Sequence, residues 1–139
     1  MPGKEPPYQI GEVAEAVGLS LRTIRYYEEV GLLPAPTRSA GGFRLYGDDD
    51  IARLSIIKQM KPLDFTLEEM ADVLALREQL STARASGRGT DELLGRLAIY
   101  ASLGEQRCDA LRDQLAAAEG LVASIAALVR GPATTDKSG

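Results

Sequence analysis

A mainly α-helical fold, opening with a helix-turn-helix unit and a hairpin and closing with one long helix, is predicted by three observations on these 139 residues. Short segments with helical apolar spacing in the first half are punctuated by Ser, Gly and Pro at helix-end positions. A Gly41-Gly42 pair lies between two runs that suit strands, and Thr90 to Arg130 carries an unbroken 3–4 apolar repeat. Composition agrees, since 45% of the residues are hydrophobic but only 5% aromatic, with no Trp, so the core must be built from aliphatic side chains.

Taken in order, residues 1–8 hold three prolines among the first seven and are expected to form a disordered leader. Ile10, Val13, Ala14 and Val17 then have the spacing of a short amphipathic helix ending at Gly18, with Leu19 in the turn. Ser20 caps a second helix that Gly31 closes. Two short helices joined through a Gly-containing turn are the requirement of a helix-turn-helix. Pro34 and Pro36 forbid continuation, and Thr37 to Tyr46 reads as a hairpin about its Gly pair. Asp48, Asp49 and Asp50 suit the positive start of a third helix carrying Ile51, Leu54, Ile57 or Lys58, and Met60 or Lys61, which should stop near Pro62. Thr66-Leu67-Glu68-Glu69 is a capping box, with Phe65 and Met70 positioned for a hydrophobic staple, so a fourth helix starts at Thr66. Residues 9–80 are therefore read as one domain and 81–89, which lack periodicity, as a linker. Residues 90–130 make the long helix and 131–139 a disordered tail.

Function begins at the second helix. Its inner side carries Leu21, Ile24 and Tyr27 or Glu28, and its outer side carries Arg22, Thr23, Arg25, Tyr26 and Glu29. Two arginines, a hydroxyl and an aromatic ring on one exposed face suit a DNA major groove. The hairpin adds Arg38, Phe43, Arg44 and Tyr46 as a basic wing, with Arg44 and Tyr46 on one strand face. Tyr46 either reaches DNA or seals the core beneath the wing. Arg38, Arg53, Lys58 and Lys61 are either phosphate contacts or plain surface charges, and Ser20 joins the candidate set at the helix cap. The formal net charge of -4 argues against a nucleic-acid binder, but it is unevenly placed. Ser20 to Lys61 holds seven basic and five acidic residues, whereas Pro62 to the end holds eight and twelve. The local excess of two positive charges permits DNA binding without arguing for it.

The long helix carries Leu94, Leu97, Ala101, Gly104, Cys108, Leu111, Leu115, Ala118, Val122, Ile125 and Val129 along one seam. Ten of the eleven have apolar side chains, where the 45% background would supply about five. About 40 residues of helix reach on the order of 60 Å, too far for the seam to be covered by the preceding domain. A second copy of the chain is the economical cover, giving a homodimer through a coiled coil. Cys108 reads as a small seam hydrophobe, or, should a two-fold axis pass nearby, as one half of an interchain disulfide. Ala101, Gly104 and Ala118 either let helices approach closely or open a small apolar effector pocket.

Other classes find little support. One Cys and no His leave no metal-ligand set and no cofactor site, and no catalytic constellation is present, so an enzyme is not expected. No signal peptide or membrane-spanning run is seen, which points to the cytoplasm with no membrane partner.

Ile10-Gly11-Glu12-Val13-Ala14, Arg22-Thr23-Ile24-Arg25-Tyr26-Tyr27-Glu28, Gly31-Leu32-Leu33-Pro34, Gly42-Phe43-Arg44-Leu45-Tyr46, Asp50-Ile51 and Phe65-Thr66-Leu67-Glu68-Glu69 follow one another in an order and spacing that resembles the MerR family of bacterial transcription regulators. The resemblance covers about Tyr8 to Leu80 by motif and the remainder by architecture. It implies a winged helix-turn-helix, two further helices and an antiparallel dimerisation helix. It also implies a double-stranded DNA operator, a promoter palindrome between the two RNA polymerase recognition elements, with polymerase holoenzyme engaged at the same promoter. Members typically bend and untwist an overlong spacer when an effector is bound. Three positions depart from the family pattern: Phe43 for the usual Tyr, Gly47 for a Ser-like cap, with Asp48 or Asp49 expected to cap instead, and Lys61-Pro62-Leu63-Asp64-Phe65 for the common Leu-Gly-Phe turn. Metal-sensing members need Cys near the start of the long helix and clustered after it, whereas here Thr90-Asp91-Glu92 opens the helix and no Cys follows Arg130. The effector expected is therefore a non-metal small molecule. The alternative is an architectural or adaptor protein that bends DNA without a ligand.

Overall fold

A computed structural model describes residues 7–132, and the outer parts of the expected leader and tail, 1–6 and 133–139, lie outside them. The chain divides into two units, residues 1–100 and 101–139.

In the first unit, Tyr8–Gln9 is strand β1, which corrects the expectation of a leader extending to residue 8. Tyr8 is buried and its hydroxyl donates to Asp48 Oδ1 at 2.7 Å, so the chain is already in the core two residues before the first helix. Helix α1, Ile10–Val17, begins where the Gln9 N–H donates to Glu12 Oε1 at 2.9 Å and ends at Gly18. Gly18 has φ of 70°, a conformation that a Cβ penalises, and its N–H closes the helix on the Ala14 carbonyl. Helix α2, Leu21–Glu29, starts on Ser20, whose Oγ accepts the Thr23 N–H at 3.1 Å. The expected hairpin forms as β2, Thr37–Arg38, and β3, Arg44–Tyr46. β1 adds to it, giving an antiparallel sheet of order β1-β3-β2 with Tyr8 opposite Tyr46 and Arg38 opposite Arg44.

Helix α3, Asp48–Met60, is capped from Gly47, whose N–H donates to Asp50 Oδ2 at 2.9 Å. The cap is thus Asp50 and not Asp48 or Asp49, because only a carboxylate three residues on can reach back to that amide. Burial raises the pKa of Asp50, which the Gly47 N–H partly offsets. A single 3-10 turn, Lys61–Leu63, leads to Asp64 with φ of 56°. Asp64 takes the left-handed position for which Gly is the usual residue, so the chain reverses here despite the changed sequence. Helix α4, Leu67–Ser86, has both halves of the expected box, Glu69 N–H to Thr66 Oγ1 at 3.0 Å and Thr66 N–H to Glu69 Oε1 at 2.9 Å.

α4 runs through most of the segment expected to be a linker and stops at Gly87, with φ of 69°. Ala83, Arg84 and Ala85 are strong helix formers, and Ala83 is buried, so propensity and one good contact carry the helix past the point where its apolar repeat fades. The core holds Val13, Ile24, Tyr27, Leu54, Ile57, Met70 and Leu74, drawn from all four helices. Each such side chain contributes on the order of 1.5–3 kcal/mol by leaving water.

Helix α5, Asp91–Arg130, begins in the first unit. There Asp72 of α4 accepts Arg96 Nη2 at 2.7 Å and the Tyr100 hydroxyl at 2.6 Å, while the Tyr100 ring lies 6.1 Å from that of Phe65. The second unit, considered by itself, is the remainder of α5, and its Leu115, Leu121, Val122, Leu128 and Val129 are exposed.

Candidate nucleic-acid interface

Ser20 sets where α2 begins and Ile24 and Tyr27 pin its inner face, so the outer face follows from the 3.6-residue period. Arg22, Arg25 and Tyr26 are exposed there, and neither arginine has a partner among the described residues. The Tyr26 ring sits 5.7 Å from the buried Tyr27 ring, which steadies it while leaving its edge open. Thr23 is half-buried, and its hydroxyl lies 2.8 Å from that of Ser20, so both hydroxyls are engaged locally at the helix start.

The wing is shaped by its own backbone. The Ser39 N–H donates to the Phe43 carbonyl at 2.9 Å and the Gly42 N–H to the Ser39 carbonyl at 2.9 Å, with Gly42 at φ of 85°. Arg38 Nη1 donates to the Gly42 carbonyl at 2.9 Å and ties the turn from the side. Phe43 stands 62% exposed at the tip, an apolar ring held against Gly41, where an added Cβ would meet it at 3.2 Å. Glu28 reaches from the last turn of α2 to the wing, accepting the Tyr46 hydroxyl and lying 3.4 Å from Arg44 Nε.

Two candidate DNA contacts are corrected, and a third is engaged within the fold. Tyr46 is buried in the core and spends its hydroxyl on Glu28; burial, then the Glu28 hydrogen bond, raises its pKa. Arg53 is buried and donates from Nε at 3.2 Å and Nη2 at 2.7 Å to the Leu32 carbonyl, with Nη1 on Glu78. Lys58 donates to the Val17 carbonyl at 2.8 Å, completing the end of α1. Tyr46 and Arg53 are thereby held inside the fold, whereas Lys58, bonded to one carbonyl, remains exposed. Lys61 is exposed. What remains as an outward surface is Arg22, Arg25, Tyr26, Arg38, Phe43, Arg44, Lys58 and Lys61, with Ser20 and Thr23 at its edge.

Of the expected dimerisation residues, Leu94, Ala101, Leu111, Leu115, Ala118, Val122, Ile125 and Val129 are exposed in the single chain and Leu97 and Cys108 half-buried. The Cys108 thiol is free. Among the described residues no group of three His, Cys, Asp or Glu side chains is placed to hold a metal, and no helix is long and apolar enough to cross a membrane. Sequence reasoning missed Glu28 and Asp72, whose acceptors serve residues 18 and 28 positions away and leave no local pattern.

A recognition-type helix beside a three-stranded wing, followed by two packed helices and a long terminal one, defines the winged helix-turn-helix class. Residues 8–76 match the family described as MerR HTH family regulatory protein. The chain belongs to the MerR family, as its motifs led us to expect.

It is 44% identical over 69 residues, 50% of this chain and 52% of the relative, to a mercuric resistance operon regulatory protein from Bacillus cereus. It is 45% identical over 73 residues, 52% of each, to the HTH-type transcriptional regulator YfmP from Bacillus subtilis. These matches span about half the length of the curated relatives. Among solved structures, the transcription regulator PbrR691 from Ralstonia metallidurans CH34 in complex with lead(II) is similar at 28% identity and a TM-score of 0.53, with 94% of this chain and 91% of that one covered. HiNmlR, a MerR family regulator lacking the sensor domain and bound to promoter DNA, shares the fold at a TM-score of 0.67 and 22% identity, over 90% and 91% of the two chains.

Proposed function

We propose that this protein is a transcription regulator that binds a promoter operator as a homodimer and controls RNA polymerase by distorting the spacer DNA in response to a non-metal effector. The observation that carries the reading is the unpartnered outer face of α2, with Arg22, Arg25 and Tyr26, beside a wing that offers Arg38, Phe43 and Arg44. Arginine reads guanine edges and grips phosphates, and the wing adds backbone contact to one side of the same groove. The apolar exposed length of α5 supports a second copy as its cover, with two recognition helices held near one DNA turn, or a multiple of it, apart. A lone Cys and the lack of His support an effector other than a metal, unlike the mercury and lead relatives.

Selection of bound fragments from a genomic DNA library tests this. A palindromic site within a promoter spacer is expected, with Arg22→Ala/Arg25→Ala binding it at least tenfold more weakly. About four basic phosphate contacts per subunit give a log-affinity against log-salt slope of roughly -7. A flat salt dependence, or Leu115→Asp/Val122→Asp remaining the same size as wild type by sedimentation, would remove the electrostatic or the dimeric part. Compaction of many unrelated sequences without a ligand would favour the architectural alternative.

A further inference from the structure

Glu28 lies on the last turn of α2 and faces the wing, with its side chain only 10% exposed. One carboxylate oxygen accepts the Tyr46 hydroxyl from β3, and the other lies 3.4 Å from Arg44 Nε on the same strand. Arg44 Nε is itself buried and makes no hydrogen bond, so the Glu28 charge is what compensates it. Cross-strand pairing puts Arg38 directly opposite Arg44, a like-charge pair that weakens a hairpin. Arg38 is tied back to the Gly42 carbonyl at the turn. The two terminal nitrogens of Arg44 have no partner among the described residues, and its side chain is 30% exposed.

We propose that Glu28 is a positioning residue for DNA binding: it holds Arg44 by its inner nitrogen, aims the outer two toward the duplex, and couples the wing to the recognition helix. This rests on the DNA-binding reading above. A free arginine must give up rotamer freedom when it grips a phosphate, whereas one pinned along its stem has given it up beforehand. An acidic residue at the C-terminal end of a recognition helix would otherwise oppose both the helix dipole and the phosphates. Here its charge is matched inside the protein, where Tyr46 fixes its direction. The same carboxylate lets the wing carry two arginines face to face.

The test is a double-mutant cycle with the full chain on a fluorescein-labelled duplex that the wild type selects from a random-sequence library. Glu28→Gln keeps an acceptor for Tyr46 but removes the charge on Arg44. It and Arg44→Ala are each expected to weaken binding about tenfold, the scale of one charge-assisted contact per wing, with the double variant within about twofold of either. Both should lower the salt slope by about 2, one phosphate from each of two wings. Losses that multiply to about a hundredfold in the double variant, or a Glu28→Gln variant that binds as well as or more tightly than wild type, would overturn the proposal. If Glu28→Gln melts below the assay temperature, Tyr46→Phe takes its place. That variant frees the carboxylate without removing its charge, and a cycle with Arg44→Ala that is additive again overturns the inference. A wild type that selects no duplex refutes DNA binding itself and the proposal with it, an outcome distinct from any variant effect.

Discussion

Replacing Arg53 by Ala should destabilise the first unit far more than replacing its ion-pair partner Glu78. Arg53 sits on α3 with its side chain 10% exposed, and two of its nitrogens converge on the Leu32 carbonyl at 3.2 and 2.7 Å. Leu32 is buried in the loop after α2, outside the helices and strands. Losing charge-assisted bonds to a buried carbonyl and leaving it unsatisfied costs about 2–4 kcal/mol. Glu78 is 54% exposed, so its removal frees a guanidinium that keeps its two other bonds and costs at most about 1 kcal/mol. Urea denaturation followed by far-UV circular dichroism measures both, with unchanged slopes and a midpoint shift at least twice as large for Arg53→Ala. Equal shifts for the two variants would show that the ion pair, and not the carbonyl, holds Arg53 in place. Arg53→Ala should also leave the salt slope of DNA binding unchanged at a temperature where it is folded, since a buried arginine releases no counterions.

Lys58→Met should lower stability by about 1–2 kcal/mol, because the Val17 carbonyl loses its donor at the end of α1 while the aliphatic stem remains; a melting temperature within 1 °C of wild type would refute it. Stability should also fall in strong base through Tyr100, whose pKa is pushed up to about 12, first by its hydrogen bond to Asp72 and then by burial. The raised value means that the folded state keeps a proton which the unfolded chain loses near 10, so the contribution is whole below about 10 and lost as pH rises toward 12. Tyr100→Phe should flatten that part of the pH profile, and an unaltered profile would show that the bond to Asp72 does not carry it.

What could be read from the sequence was local in cause. Ser20, Gly18 and the Thr66 to Glu69 box act within one turn, and their roles as helix ends are those seen. The outward Arg22, Arg25 and Tyr26 followed from period alone, since Ile24 and Tyr27 had nowhere else to go. β1 was invisible because a two-residue strand has no pattern, and it exists only through β3, some 36 residues later. Charge and chemistry leave Arg53, Lys58 and Tyr46 open between DNA and the fold, and the partners they take, Leu32, Val17 and Glu28, are groups whose need appears only once the chain has turned. The end of α4 was misplaced because Ser81 to Ala85 lacks an apolar repeat but not helix propensity.

The apolar exposure of α5 beyond Tyr100 has a thermodynamic meaning besides a structural one. A helix from Ala101 to Arg130 contains Gly104 and Gly120, each costing about 1 kcal/mol against Ala, and helices in water owe most of their stability to what they pack on. If a second copy covers the apolar seam, as proposed, coil-to-helix conversion in this stretch and that coverage are one linked equilibrium. Under the proposed homodimer, helix content is a function of chain concentration, so dilution alone should unwind the distal part of α5 while the first unit, with its own core, keeps its circular dichroism signal.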